Sequence, residues 1–74
     1  MVDLRKAKTG DVYVDGFGRK VRILCNDRKN DSKVFNVVAL KESVREEKIM
    51  TYTLDGLYWG YTTSKFDLVK RINE

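Results

Sequence analysis

Apolar and polar residues alternate along most of this chain with a period of two, the spacing of strands rather than helices. In "DVYVDGFGRKVRILCN", Val12 and Val14 alternate with Tyr13 and Asp15. After the turn residues Asp15-Gly16 and Gly18, Val21, Ile23 and Cys25 alternate with Lys20, Arg22 and Leu24. The pattern predicts a hairpin whose "DGFG" loop exceeds a two-residue turn. "NDRKNDSK" is polar throughout and reads as a loop. "VFNVVAL" at 34–40 is apolar on both sides apart from Asn36 and predicts a central strand buried on both faces.

Asp55-Gly56 lies between two alternating runs, a strong local hairpin signal. With those residues as the turn, Met50, Tyr52, Leu54, Leu57, Trp59 and Tyr61 share one side of a ribbon. That apolar face needs a cover, from the domain itself or from a partner. The spacing places Met50, Tyr52 and Trp59 in the core and leaves Tyr58, on the threonine-bearing side, as the exposed ring. "KFDLVKRI" predicts a closing strand with Phe66, Leu68 and Ile72 on one side. The flanks say less. Asp3 could cap one or two helical turns ending near Gly10, or residues 1–10 could be a frayed basic terminus. Ser43 and Glu46 have capping-box spacing, although a solvated connection gives the same composition.

Length and composition narrow the picture. Seventy-four residues make one domain, 1–74, with a core that buries only about 60% of the unfolded surface. Five or six short strands joined by turns, with no proline, predict an all-β, small SH3-like barrel. Such a chain favours a shallow binding face over a deep catalytic cleft. The absence of His removes the usual general base and most zinc sites. Asp15 and Asp55 precede glycine in turns, where Asp serves backbone geometry. The reading is therefore not an enzyme, with no catalytic residues, no metal and no cofactor.

A formal charge of +4 allows nucleic acid as a partner without requiring it. Arg19, Lys20 and Arg22 follow the glycine loop, while Arg28 and Lys29 occupy the next polar connection; together with Tyr58 they form the candidate binding surface. The only cysteine, Cys25, shares the predicted face of Val21 and Ile23 and reads as an inert core thiol in a reducing cytoplasm. No signal peptide or membrane span is expected.

"TGDVYVDGFGRKVRIL" resembles the opening of SH3-like barrels of the KOW type, through Gly10, Asp11, Val12, Val14, Gly16, Gly18, Lys20, Val21 and Ile23. The loop is shorter than in that family. The resemblance implies a small barrel and an RNA-contacting loop. The order "KVRILCND", "VVAL", "YTLDGLY", "FDLV" is similar to small proteins encoded by bacteriophages. That likeness implies an accessory factor that docks on a host protein through an exposed strand edge and aromatic loops. Nucleic-acid binding through the basic loops is the alternative, and a nucleotide-like ligand the third choice. Homodimerisation would enlarge a marginal core.

Overall fold

The computed structural model describes residues 2–72. Five strands form: β1 (Val12–Asp15), β2 (Lys20–Cys25), β3 (Val37–Lys41), β4 (Lys48–Tyr52) and β5 (Leu68–Ile72). They make one antiparallel sheet in the order β4-β3-β2-β1-β5. Four consecutive strands meander, and β5 returns to pair with β1. The fold is all-β, and the sheet itself is not closed into a barrel.

The inward positions follow the period-two pattern over much of the sheet. Tyr13, Val21, Ile23, Val37, Ala39, Tyr52 and Leu68 are buried, and Leu4 joins them from outside the sheet. Two bulges change the pattern. On β2, Ile23 pairs with Ala39 but Cys25 pairs with Val38, so Leu24 is the extra residue. The added residue moves Cys25 off the face of Val21 and Ile23, against the sequence expectation, and leaves it half-buried. On β5, Val14 pairs with Lys70 and Asp15 with Leu68, making Val69 extra and putting Leu68 and Ile72 on opposite faces.

The strand predicted over 34–40 begins only at Val37, and it lies second from the edge; β2 is the central strand. Val37, Ala39 and Lys41 are buried, whereas Val38 and Leu40 point outward and are half-buried. The outer face carries an aliphatic row: Ile72, Val12, Leu40 and the 74% exposed Ile49 align across the sheet, interrupted by Arg22. The expectation of a central strand buried on both faces is therefore not met: only one face of β3 is sealed by this chain.

Residues 2–10 form no helical turn and are not frayed. Asp3 accepts a hydrogen bond from the Arg5 N–H at 3.0 Å, a local Asx-type turn. Leu4 is fully buried, and its N–H donates to the Leu54 carbonyl at 2.7 Å. The Asn26 side-chain amide clamps the segment by donating to the carbonyls of Leu4, Arg5 and Ala7. Arg5 bridges Asp3 and Asp55, both at 3.1 Å. The hydrogen bond from the Arg5 backbone, followed by the one from its side chain, holds the Asp3 carboxyl below its usual range. Burial of one leucine and these long-range bonds outweigh a marginal local cap. The Ser43–Glu46 stretch likewise forms no helical turn; it is a bent, mostly exposed connection.

The Asp55-Gly56 turn forms, with Gly56 at φ +82° and its N–H bonded to the Thr53 carbonyl at 2.9 Å. The returning arm is not a strand. Thr53 Oγ1 accepts from the N–H groups of Asp55 (3.2 Å) and Leu57 (3.1 Å), and the Leu68 N–H donates to the Gly56 carbonyl at 2.9 Å. These bonds turn the chain away from β4 and toward β5. The six-residue apolar face predicted for the ribbon is thereby dispersed. Tyr52 is fully buried, and Met50 and Leu54 pack half-buried against the core, but Trp59 is 46% and Tyr61 86% exposed.

The buried Tyr52 hydroxyl has no hydrogen-bond partner among the described residues. An unpartnered buried hydroxyl costs roughly 1–3 kcal/mol. Tyr52→Phe is therefore expected to stabilise the fold, by about 1 kcal/mol, read as a rise in Tm of roughly 4–8 °C. Burial, reinforced by the Asp15 charge, raises the Tyr52 phenol above its ordinary value. A raised acid pKa contributes stability that is present below about pH 10 and declines as pH rises through the range where only the unfolded chain ionises. Tyr52→Phe should flatten that alkaline decline, which urea unfolding across pH would show.

Candidate aromatic docking surface

Two loops meet beyond one end of the sheet: the β1–β2 turn and the segment that leads into β5. Each is held by one buried carboxylate. Asp15, 1% exposed, accepts through Oδ1 from the N–H groups of Phe17 (2.9 Å) and Arg19 (3.0 Å), while the Asp15 N–H donates to the Arg19 carbonyl at 3.1 Å. The tip is thus fixed with Phe17 pushed outward. Asp15 Oδ2 faces Lys41 Nζ at 3.4 Å, an ion pair in which both side chains are buried. That contact is electrostatic and lacks hydrogen-bond geometry, so Oδ2 keeps no hydrogen bond.

Asp67, 7% exposed, plays the same part in the second loop. Its Oδ1 accepts from the Tyr58 N–H and its Oδ2 from the Ser64 N–H, each at 2.8 Å. The two loops are joined where Gly16 donates to the Lys65 carbonyl at 2.8 Å. A Cβ at Gly16 would lie 2.7 Å from that oxygen and 2.8 Å from Lys65 Cα, so only glycine allows this approach.

The result is a connected group of rings. Tyr52 in the core meets Tyr58 at a centroid distance of 6.2 Å; Tyr58 meets Trp59 at 5.0 Å and Phe66 at 5.3 Å; Phe66 meets Phe17 at 5.3 Å. Edge-to-face and tilted contacts of this kind contribute about 0.5–1.5 kcal/mol each beyond area burial. Lys41 Nζ lies over the Phe66 ring at 5.3 Å and Lys65 Nζ over Phe17 at 5.9 Å. Phe17 (53%), Trp59 (46%) and Phe66 (37%) remain exposed on this rigidly backed surface. Rigid, half-exposed aromatic rings are the residue class that dominates interface energy.

The residues expected from the sequence are distributed differently. Arg19 lies at the rim of this surface, in a cleft of about 230 Å³ shared with Glu42, Ser43 and Val44. Lys20 and Arg22 are exposed on β2, and Arg22 Nη2 pairs with Glu47 at 3.0 Å. Arg28 and Lys29 follow the other end of β2, about 20 Å from Arg19 by strand rise. Arg28 also folds back, its Nη1 donating to the Phe35 carbonyl at 3.3 Å. The two basic loops therefore do not form one patch. Tyr58 is half-buried, wedged among Tyr52, Trp59 and Phe66, instead of standing exposed.

Phe17, Lys41 and Lys65 were not singled out by sequence reasoning; Phe66 was read as one side of the closing strand, and Asp67 only as a carboxylate without a catalytic or metal-binding partner. One signal was present: a phenylalanine flanked by Gly16 and Gly18 sits at a turn tip, where a core residue has nothing to pack against. A second cleft, about 280 Å³, is lined by Lys33, Asn36, Thr53 and Asp55 among others. Both clefts fall below the usual 300–1,000 Å³ of ligand pockets. Among the described residues no cluster of His, Cys, Asp and Glu is arranged to hold a metal ion, and no helix is long and apolar enough to cross a membrane. No family model, curated protein or solved structure matches this chain.

Proposed function

We propose that this chain is a non-enzymatic binding module, a phage-type accessory protein that docks on a host cytoplasmic protein through the Phe17–Phe66–Trp59 surface. The observation that carries the reading is the exposure of Phe17, Phe66 and Trp59, with Phe66 packed on Phe17 and joined to Trp59 through Tyr58, on loops fixed by buried Asp15 and Asp67. A surface whose rings are already ordered loses little side-chain entropy on binding. The phage context rests on the similarity of the strand motifs described above. An SH3-like barrel is the architecture we infer for it, supported by the β5–β1 pairing and by the Leu68–Gly56 and Leu4–Leu54 backbone bonds that bridge toward β4.

Nucleic-acid binding is the reading to separate from this one. It gains support from the basic excess, but the basic loops lie apart and Tyr58 is half-buried among three other rings. Trp59 reports directly. With the ring 46% exposed, its emission should be intermediate, and titration with single- or double-stranded oligonucleotides should leave it unchanged at low and at physiological salt. Quenching that weakens steeply as salt rises would replace protein docking by nucleic-acid binding.

A further inference from the structure

We propose that the segment received by this surface is an acidic, extended peptide of the partner protein, its carboxylates meeting Arg19 and Lys65 and its apolar side chains entering between Phe17, Phe66 and Trp59. The inference rests on the docking reading above and names the chemistry of the partner.

Charge is sorted by depth at this end of the molecule. The carboxylates of Asp15 and Asp67 are turned inward, where they accept the N–H groups of Phe17, Arg19, Tyr58 and Ser64. Lys41 is buried too, balanced by Asp15. The rim carries two exposed cations, Arg19 and Lys65, and neither has a carboxylate partner among the described residues. Glu42 shares the cleft with Arg19 but is not ion-paired to it. Rim cations of this kind steer and select an oppositely charged partner.

The rings bear on the choice between a peptide and a nucleic acid, the other anionic polymer. Base stacking uses a free ring face. Here Lys41 Nζ lies over Phe66, Lys65 Nζ lies over Phe17, and the neighbouring rings meet edge-on or tilted. Competition by an oligonucleotide separates the two partners. Trp59, Tyr58, Phe66 and Phe17 are linked by successive centroid steps of 5.0, 5.3 and 5.3 Å, so the exposed rings belong to one connected group.

The test is selection of a displayed random-peptide library on the immobilised full chain, followed by binding of the enriched peptides to two variants. Phe17→Ala/Trp59→Ala defines dependence on the surface, and Arg19→Glu/Lys65→Glu reports the charge. Both variants alter exposed side chains, and thermal unfolding checks that they fold. Enriched peptides should combine Asp or Glu with apolar anchors. They should lose binding to the first variant and weaken by about tenfold or more, some 1.4 kcal/mol, on the second. Surface-dependent peptides without acidic enrichment, or with equal affinity for the charge-reversed variant, overturn this inference and leave the docking reading standing. A selection yielding nothing that depends on Phe17 and Trp59, or an oligothymidylate that quenches Trp59 and competes with the peptides, overturns both.

Discussion

Asp15→Ala is expected to remove most of the stability of this fold. The substitution strands the Lys41 ammonium, whose side chain is only 8% exposed, without its countercharge. It also leaves the N–H groups of Phe17 and Arg19 without their acceptor. Breaking a buried ion pair from one side costs about 3–5 kcal/mol, close to the whole stability of a small domain. Thermal and urea unfolding should show a largely unfolded variant. Lys41→Met alone should be costly for the complementary reason, an unpaired buried carboxylate. The double variant Asp15→Asn/Lys41→Met keeps a side-chain oxygen for the two N–H groups and removes both charges. It should recover all but about 1.5 kcal/mol, because discharged, well-packed pairs are often as stable as the ions they replace. Equal instability of the double and single variants would mean that the charge pairing contributes little.

Asp67→Ala is the second large effect, and it bears on function more directly. Without this carboxylate the N–H groups of Tyr58 and Ser64 lose their acceptors, each worth about 1–3 kcal/mol if left buried and unpaired. The cost falls within residues 58–67, so the sheet should survive while that loop loosens. Hydrogen exchange should accelerate at Tyr58 and Ser64 with little change in β2 and β3. Trp59 emission should shift to the red. Docking should weaken in step, because the rings would no longer be held in order. Phe17→Ala/Trp59→Ala makes the converse case: two ring contacts are removed, stability should fall by about 1–3 kcal/mol without loosening the loop backbone, and docking should be lost.

These contrasts show which features the sequence carried. Period-two alternation located all five strands to within a few residues, because strand pairing here is mostly local and β1, β2 and β3 each bury one face. The Asp55-Gly56 signal marked a real turn but predicted a false strand after it. A period-two pattern cannot show that Asp67, nine residues on, takes the Tyr58 N–H from any ladder. Bulges were equally invisible: one added residue, Leu24, sent Cys25 to the other face. Asp15 was read as a turn residue, which it is, since it accepts the N–H groups of the turn. Its second role depends on Lys41, two strands away in the sheet, and residue type alone gave no hint that this lysine would be buried.

The candidate site was legible only at its margins. Arg19 sits at its rim and Tyr58 in its foundation, but charge composition drew attention to Arg28 and Lys29 at the far end of β2. The aromatic stretch around Trp59 raised the choice between interior and surface, and the structure divides it. Tyr52 belongs to the core, Tyr58 to the boundary, and Trp59 and Tyr61 to the surface.

Site-specific photo-cross-linking in cells tests the central claim most directly, with an aromatic photoreactive residue placed at the 37% exposed Phe66, which packs on Phe17, or at Lys29 in the β2–β3 loop. A discrete, nuclease-resistant protein adduct from position 66, absent from position 29 and abolished by Phe17→Ala/Trp59→Ala, is the expected result. Adducts from position 29 alone, or adducts that nuclease removes, would contradict it and return the binding function to the basic loops.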